Sequence, residues 1–280
     1  MLGCVLLLVA CTNRVGGVSS AGTSSTPRGD ALTAAAAFGD LRTIDYCTLL
    51  DDVGEPLLSS FELCTTEVDL IERTVGPLSS GDHVDGVPRE DPEDLPAGVR
   101  VRARTAETGC VLWVGFADDV WLAVAVADGS EPPWSVSDVY CGLADHVVSG
   151  VLDAIGNDRV GHLTYGPGSF GALDPCQVIG GPEFAAAGRP VGGPSGHDCG
   201  NGRVRLSFSV GWRAGDTPAT VGGREATVRR DAPACHVIFQ RPLPGEPRFM
   251  EQATVTVPGD SEEACTRARG AAELIAPKLP

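Results

Sequence analysis

Eight of the ten cysteines fall into two sets of four with similar spacing, and this arrangement restricts the possible folds more than any other feature of the chain. Successive cysteines are separated by 17, 46 and 31 positions in the first set and by 23, 36 and 30 in the second. Such a pattern indicates an internal duplication. The two sets are Cys47, Cys64, Cys110 and Cys141, then Cys176, Cys199, Cys235 and Cys265.

The residues around the cysteines repeat as well. In each set an aspartate, Asp45 or Asp174, lies two residues before the first cysteine, where it can cap the N-terminus of a helix. Pro175 takes the first helical position, where a missing N–H costs no hydrogen bond. The chain therefore contains two related segments, residues 41–160 and residues 161–280, which we call the first and the second repeat.

Each repeat is predicted to end in an α-helix, because apolar residues recur there at helical spacing. In the second repeat, Asp260 and Glu263 form a variant of the capping box at the start of this helix. The apolar positions are Val136, Val139, Tyr140, Leu143, Val147, Val151 and Ile155 in the first repeat, and Cys265, Ala268, Ala272 and Ile275 in the second.

Between these helices the sequence alternates as strands do. Apolar residues at every second position from Val204 to Trp212 predict a half-buried strand. Gly222 and Gly223 predict a tight hairpin turn, since glycine accepts a positive φ. We therefore expect an α+β fold of two tandem domains. Each would be a twisted antiparallel sheet with helices packed on one face, stapled by disulfides.

The eight cysteines are expected to form disulfides rather than zinc sites. Zinc sites usually contain closely spaced cysteine pairs, whereas the nearest of these cysteines are 17 positions apart. If the strand at Cys235 pairs with the strand ending near Val257, the next helix places Cys265 beside Cys235. The expected pairs are Cys47–Cys64, Cys110–Cys141, Cys176–Cys199 and Cys235–Cys265; the alternative joins the first and last cysteine of each set, Cys47–Cys141 and Cys176–Cys265.

The N-terminal residues resemble a bacterial lipoprotein signal. The apolar run Leu6–Ala10 precedes Cys11, as in the lipobox whose cysteine receives a diacylglycerol. Residues 1–10, which include Cys4, would be a signal peptide. We interpret it as truncated, since the apolar run is short and no Lys or Arg precedes it. Residues 11–40, rich in Ser, Thr, Gly and Ala, are predicted to form a flexible tether. We expect a lipid-anchored protein on the outer face of the cytoplasmic membrane.

The second repeat resembles a known family at several motifs. It has Asp-Pro-Cys at the start of a helix, a Gly-Gly-Arg turn, a Cys-x-Val strand and a final Leu-Pro after an alanine-rich helix. This combination is similar to an actinobacterial family of secreted lipoprotein domains of unknown function (family 3558). The first repeat matches more loosely, since Tyr46 replaces the proline and an acidic insertion lies between Cys64 and Cys110. The resemblance implies a compact α/β sandwich like that of the photosystem PsbP protein, and implies no activity or binding residues.

No catalytic group is evident from the sequence. Gly166–Gly171 matches the motif G-x-G-x-x-G. In a dinucleotide site this motif lies between a strand and a long helix. Here the segment contains a proline and lies between the two repeats, and we interpret it as a linker. His197-Asp198-Cys199 places an imidazole beside a thiol, but an oxidised cysteine is no nucleophile. His236 is expected at the surface or at an interface. No G-x-S-x-G motif occurs. We predict no enzymatic activity, no cofactor and no metal.

The acidic residues are concentrated in the first repeat. Residues 41–160 contain 23 Asp and Glu against 7 Arg, a net charge of −16, whereas residues 161–280 contain 12 acidic and 12 basic residues. This charge argues against nucleic acid as a partner and against electrostatic docking on anionic lipid. One Pro- and Gly-containing stretch is expected to be a solvated loop, with binding of calcium or a cationic partner as the alternative. Its acidic residues are Asp82, Asp85, Glu90, Asp91, Glu93 and Asp94.

These observations favour a non-enzymatic binding or interaction module in the cell envelope, recognising a peptide, a protein or a cell-wall component. The alternative is a structural or regulatory accessory lipoprotein of envelope biogenesis that binds no small ligand, and a hydrolase is a more distant third. A cavity with converging polar groups would favour a ligand, whereas a flat apolar patch would favour a protein partner.

Overall fold

Two antiparallel sheets of seven strands each form the framework of the structure. It is a computed structural model that describes residues 31–50, 56–89, 95–106, 108–128, 137–182, 184, 188–213, 218–243 and 246–280. The elements up to the end of the first repeat are α1 (Ala34–Phe38), β1 (Ile44–Asp45), a 3-10 helix (Tyr46–Leu49), β2 (Pro56–Ser59), β3 (Cys64–Val68), β4 (Ile71–Ser80), a 3-10 helix (Gly81–His83), β5 (Val87–Pro88), β6 (Arg100–Ala106), β7 (Gly109–Gly115), β8 (Val120–Asp128) and α2 (Ser137–Gly156).

The second repeat contains a matching series of elements. They are β9 (Gly161–His162), a 3-10 helix (Phe170–Ala172), α3 (Pro175–Val178), β10 (Val191–Gly192), β11 (Asp198–Gly200), β12 (Arg205–Trp212), β13 (Pro218–Val221), β14 (Arg224–Asp231), β15 (Ala234–Leu243), β16 (Glu246–Pro258), α4 (Glu262–Ile275) and a 3-10 helix (Ala276–Lys278).

The two sheets have the same strand order. It is β2-β3-β4-β8-β7-β6-β5 in the first and β10-β11-β12-β16-β15-β14-β13 in the second, and every neighbouring pair is antiparallel. In both sheets the third strand pairs with the seventh, so the chain crosses over at the same step. This agreement supports the duplication inferred from the cysteines.

The long helix of each repeat packs on one face of its sheet, and a disulfide joins the two. Helix α2 packs on β7 and β8, and α4 packs on β15 and β16. Cys235 lies opposite Val257 in the register, as the predicted pairing requires. The structure pairs the cysteines in the predicted combination: Cys47–Cys64, Cys110–Cys141, Cys176–Cys199 and Cys235–Cys265, with Cα–Cα distances of 5.0, 5.1, 5.2 and 5.1 Å.

Most of the predicted capping interactions are present. The Asp45 carboxylate accepts a hydrogen bond from the backbone N–H of Cys47, and Asp174 caps its own helix in the same way, although both helices are single turns. Gly222 and Gly223 have φ values of 58° and 78°, as the hairpin requires. The capping box at Asp260 was wrong. Ser261 caps α4 instead, because its hydroxyl accepts from the N–H of Ala264.

The inward faces of the strands and helices are those predicted, with two exceptions. Leu206, Phe208 and Val210 are buried, but Trp212, the last residue of β12, is 64% exposed, and its ring packs 4.6 Å from that of the buried Phe249. On α2, Val139 is 58% exposed, because it lies outside the stripe that faces the sheet. The buried residues of that stripe are Tyr140, Ala144, Val147, Val148, Val151 and Ala154.

The C-terminal part of the predicted tether belongs to the fold, so its boundary at residue 40 was wrong. Helix α1 is capped by the Thr33 hydroxyl, and the N–H of Ala34 donates to the Asp118 carboxylate at 3.0 Å. The Phe38 ring meets the Phe116 ring edge-on at 5.1 Å inside the first core. Residues 34–37 are all alanine, and the large apolar residue Phe38 is the last of the helix. The segment therefore resembles a low-complexity tether in sequence.

The repeats are joined by a seam rather than by a free linker. Strand β1 of the first repeat pairs with β9 of the second. The segment Gly166–Gly171, interpreted as a linker, contains the buried Phe170, which stacks on Phe208 in the second core. Residues from Ala31 to Pro280 thus form one compact unit.

Several predictions fall on residues outside the described part of the chain. They are the signal peptide with Cys4, the lipidation site Cys11, the start of the tether, Val136 and the acidic residues Glu90, Asp91, Glu93 and Asp94. Within the described residues, no helix is both long and apolar enough to cross a membrane. The four disulfides indicate an oxidising, extracytoplasmic compartment.

Candidate functional site

Both repeats line a cleft of about 530 Å³. From the first repeat come the end of β4 and the 3-10 turn that follows it; from the second come β10, β11 and the start of β12. Apolar side chains form part of the wall, namely Leu78, Val191, Pro194, Val204 and Pro258, and the polar side chains are Ser79, Ser80, Asp82, His83, Asp198, Arg205 and Thr256.

The charged groups of the cleft come from both sides. Arg205 pairs with Asp198, a neighbour on the adjacent strand of the same sheet. Asp82 lies on the opposite wall, and the hydroxyl of Ser80 donates to its carboxylate. This hydrogen bond lowers the pKa of Asp82, and the positive charge of Arg205 acts in the same direction. Asp82 is therefore ionised at neutral pH, so the cleft contains one carboxylate more than it has guanidinium groups.

One wall of the cleft is a face of the second sheet, formed by β10, β11, β12 and β16, and β10 borders the cleft at the edge of that sheet. Strand β10 is the terminal strand in that sheet, and it pairs with β11 on one side only. Val191 on this edge is 73% exposed, although it is a large apolar residue. An unpaired edge offers backbone N–H and C=O groups to a further strand. The cleft thus combines a bordering edge strand, apolar surface and the carboxylate of Asp82, which no described arginine or lysine pairs with.

A row of residues connects the cleft to His236. Val191, Gly200, Arg205 and Thr256 lie side by side on neighbouring strands, and His236 is opposite Thr256 on the next one. The His236 Nδ1 and the Thr256 hydroxyl are 3.0 Å apart. Desolvation and the nearby Arg229 lower the pKa of His236. His236 is thus half-buried beside the cleft wall.

A polar seam between the repeats lies deeper in the protein. The backbone carbonyl of Arg42 accepts from the Tyr165 hydroxyl and lies 3.0 Å from His197 Nε2. The Arg42 guanidinium in turn donates to the carbonyl of Leu173 at 3.0 Å. His197 is only 2% exposed, and this burial lowers its pKa to about 4. The imidazole is therefore neutral at physiological pH and acts here in packing.

Glu62 crosses the same seam from the first repeat. Its carboxylate accepts a hydrogen bond from the N–H of Val210 at 3.1 Å, at a point on β12 beyond the end of β11. Burial raises the pKa of Glu62 to about 7. Desolvation also raises the pKa of the buried Tyr46 nearby, and the charge of Glu62 adds to this effect. No sequence motif marked Glu62, because its burial depends on a strand 148 residues away.

A second buried carboxylate holds the segment between the repeats. Glu251 is 3% exposed and accepts from the Ser169 hydroxyl at 2.7 Å and from the N–H of Phe170 at 2.9 Å. Arg241 Nε lies 3.5 Å from the same carboxylate. Both oxygens of the Glu251 carboxylate thus accept hydrogen bonds from within the fold, and Glu251 holds the segment between the repeats in position.

The residues singled out in the sequence are dispersed in the structure. His197 is in the seam, Asp198 in the cleft and Cys199 in a disulfide, so the three neighbours form no catalytic group. Asp82 lines the cleft, whereas Asp85 lies 3.6 Å from Arg104. The described residues contain no cluster of His, Cys, Asp and Glu suited to a metal ion.

Comparison with known proteins adds little. No family model matches the chain, and no curated protein matches it. One solved structure, DynU16, a protein in the dynemicin biosynthetic locus, aligns with 81% of this chain and 87% of its own, at 12% identity and a TM-score of 0.18. A similarity of this size carries no argument about fold or function.

Proposed function

We propose that the protein is an extracytoplasmic binding module that holds an extended peptide segment in the cleft between its repeats. The observation that carries this proposal is the edge strand β10, which borders the cleft and, among the described residues, pairs with β11 alone. An extended segment can add to such an edge as a further strand, with backbone hydrogen bonds supplying affinity and side-chain pockets supplying selectivity.

The charges of the cleft select the side chain that such a segment would present. Arg205 is already paired with Asp198, while among the described residues the Asp82 carboxylate contacts Ser80 and, at 4.0 Å, His83. A Lys or Arg of the bound segment can pair with Asp82, and an apolar residue beside it can cover Val191. The net charge of −16 would also attract a basic segment and speed its encounter.

The setting of this module is part of the proposal. We infer that the chain is a lipoprotein anchored through Cys11, with two tandem PsbP-like domains of the actinobacterial lipoprotein type. The disulfides support the compartment, and the resemblance of the second repeat supports the type. The cleft favours a binding role over a purely structural one, because a structural accessory would not need an edge strand beside the exposed carboxylate of Asp82.

A displayed library of random heptapeptides, selected on the full chain, tests this function. We expect the selected peptides to contain a Lys or Arg next to an apolar residue. In calorimetric titrations, Val191→Asp and Asp82→Asn should each weaken binding about tenfold or more, since each removes a direct contact.

Val139→Asp is the matched control, because Val139 is a similarly exposed valine on α2, away from the cleft. It should leave the affinity unchanged. Selection of acidic peptides, or equal effects of Val139→Asp and Val191→Asp, would contradict the proposal.

A further inference from the structure

The outer face of the first sheet, opposite α2, carries an unusual group of arginine and tryptophan side chains. In one row across the strands, Arg100 lies opposite Gly115, and Gly115 lies opposite Trp121. In the next row, Arg102 lies opposite Trp113. The guanidinium carbons of Arg100 and Arg102 lie 4.9 and 5.0 Å from the centroid of the Trp121 ring. We call Arg100, Arg102 and Trp121 the arginine cluster.

The ring at the centre of this cluster is held in place from several sides. A Cβ atom on Gly115 would lie 2.6 Å from Trp121, so only glycine lets the ring lie across this strand. The indole N–H donates to the Asp119 carboxylate at 3.0 Å, and Trp121 is 1% exposed. Because a cation over an aromatic face is attracted to it, the fixed ring orders the two flexible arginines. The two arginine side chains have thus already lost conformational entropy in the free protein, so a ligand would not have to order them.

The positive charge of the cluster is only partly neutralised. Arg100 Nη2 lies 3.4 Å from the Asp119 carboxylate, which also accepts the hydrogen bond from the indole N–H of Trp121. Arg102 forms no ion pair with any described residue. Both guanidinium carbons are within 5.0 Å of one centroid, so they are no more than about 10 Å apart and repel each other. A bound oxyanion would reduce this repulsion and could accept paired hydrogen bonds from the guanidinium of Arg102.

The second repeat lacks the cluster at the corresponding positions. The disulfides align the two sheets, because Cys110 and Cys235 occupy the same place on β7 and β15. In this alignment Glu225 and Thr227 replace the two arginines, while Gln240 and Gln252 replace Gly115 and Trp121. A sheet with this strand order therefore forms without the arginine cluster on its outer face.

We propose that the arginine cluster binds the phosphate or carboxylate group of a short saccharide. Both groups are oxyanions that accept paired hydrogen bonds from guanidinium. The half-buried Trp113 lies opposite Arg102, and the small Ala123 lies opposite Trp113 on the next strand. The apolar face of a sugar ring can pack on this surface while its anionic group reaches the arginines. The net charge of −16 on the first repeat repels a long polyanion, so the ligand is a short one.

Nuclear magnetic resonance titration of the full chain, observing the indole N–H signal of Trp121, tests this site at about 0.15 M salt. Trp121→Phe identifies the signal. Glucuronate and glucose 6-phosphate are the carboxylate and phosphate ligands; glucose and inorganic phosphate are the controls. We expect one or both anionic sugars to shift the signal saturably, glucose to leave it unchanged, and inorganic phosphate to bind more weakly than glucose 6-phosphate. The stronger of the two anionic sugars identifies the source of the oxyanion.

Variants of two arginines on the same strand separate a direct contact from a general charge effect. Arg102→Gln should weaken binding about tenfold or more, whereas Arg104→Gln should change it less than about twofold. Arg104 is the matched control, because it lies two positions along β6 and faces Asp85 at 3.6 Å. The pair Arg100→Glu and Arg102→Thr, which copies the second repeat, should abolish binding with the fold intact by circular dichroism.

Three results would overturn the proposal. They are an equal loss in Arg102→Gln and Arg104→Gln, a response to glucose as large as that to the anionic sugars, or inorganic phosphate bound as tightly as glucose 6-phosphate. The variants leave the cleft unchanged, so failure here is distinct from failure of peptide binding.

Discussion

The two repeats share a strand order and differ in the outer faces of their sheets. On the inner faces, the same alternation of apolar residues and the same sheet-to-helix disulfide recur. On the outer faces, arginine and tryptophan in the first repeat correspond to Glu, Thr and Gln in the second. The net charge differs likewise, −16 against zero. The comparison teaches that burial and cross-links constrain the shared topology, whereas the solvent-facing rows are free to acquire different binding properties.

The boundary between the repeats is the first place to test this comparison. Phe61 belongs to the first repeat but is buried in the second core, 4.7 Å from the His197 ring and against Tyr165. Phe61→Ala should lower the free energy of unfolding by about 3–5 kcal/mol, since it empties a buried site. Phe116→Ala, confined to the first core, is the control and should have a similar cost.

Chemical denaturation followed by tryptophan fluorescence and circular dichroism measures both variants. Because the seam joins the cores, we expect one cooperative transition that either variant moves to lower denaturant. Two separable transitions, each moved by only one of the variants, would show that the repeats unfold independently.

The sheet-to-helix disulfides offer a test of equivalence. Cys110–Cys141 closes a loop of 31 positions and Cys235–Cys265 one of 30, so loop entropy predicts nearly the same stabilisation, about 3.5 kcal/mol each. Replacing either pair by alanines should therefore lower stability by similar amounts in urea titrations. A difference above about 2 kcal/mol would mean that one repeat depends far more on its cross-link, and the structural equivalence would not extend to energetics.

A smaller effect distinguishes the outer faces. Gly115→Ala places a methyl group within 2.6 Å of Trp121 and should cost about 1–3 kcal/mol, because the ring must leave its position. At the corresponding position of the second repeat, Gln240→Ala should cost less than about 1 kcal/mol, since its partner on the next strand is Gln252 instead of a tryptophan. Thermal unfolding measures both, and equal costs would show that the cluster is no more constrained than its counterpart.

Much of the fold could be predicted from the sequence where the signals are local. Asp45, Asp174, the Gly222–Gly223 turn and the alternation of β12 all depend on neighbouring residues, and they proved correct up to Trp212. The prediction of the disulfide pairs was correct because the assumed pairing of the strand at Cys235 with the strand ending near Val257 places the following helix beside Cys235. The strand order could not be predicted, because it depends on pairings between distant segments such as β4 with β8.

The candidate sites were largely beyond prediction for the same reason. The cleft exists because β4 of one repeat faces β10 of the other, and neither wall carries a motif. Arg100 and Arg102 alternate with apolar residues in the sequence, but their relation to Trp121 depends on the register of three strands. His197 was noticed for its neighbour Cys199, whereas its actual partner is a carbonyl 155 residues away.

The seam between the repeats should also have a pH signature, the smallest of the expected effects because two contributions cancel. Burial raises the pKa of Glu62 to about 7, so the folded protein keeps a proton that the unfolded chain loses above about 4.5. Stability from Glu62 therefore falls as pH rises through this window. Burial lowers the pKa of His197 to about 4, so the unfolded chain binds a proton below about 6.5 that the folded protein lacks. Stability from His197 therefore rises with pH.

Between about pH 5 and 6.5 the two contributions have opposite signs and similar size, so we expect little change in wild-type stability from this pair. Glu62→Gln leaves only the histidine, and stability should then rise by about 1 kcal/mol per pH unit; His197→Gln should give the opposite slope. The double variant, Glu62→Gln with His197→Gln, is the control and should be as flat as the wild type. Urea titrations at several pH values, read as differences from the wild type, remove the contributions of all other groups. If both single variants keep the wild-type slope, Glu62 and His197 titrate normally and the seam admits water.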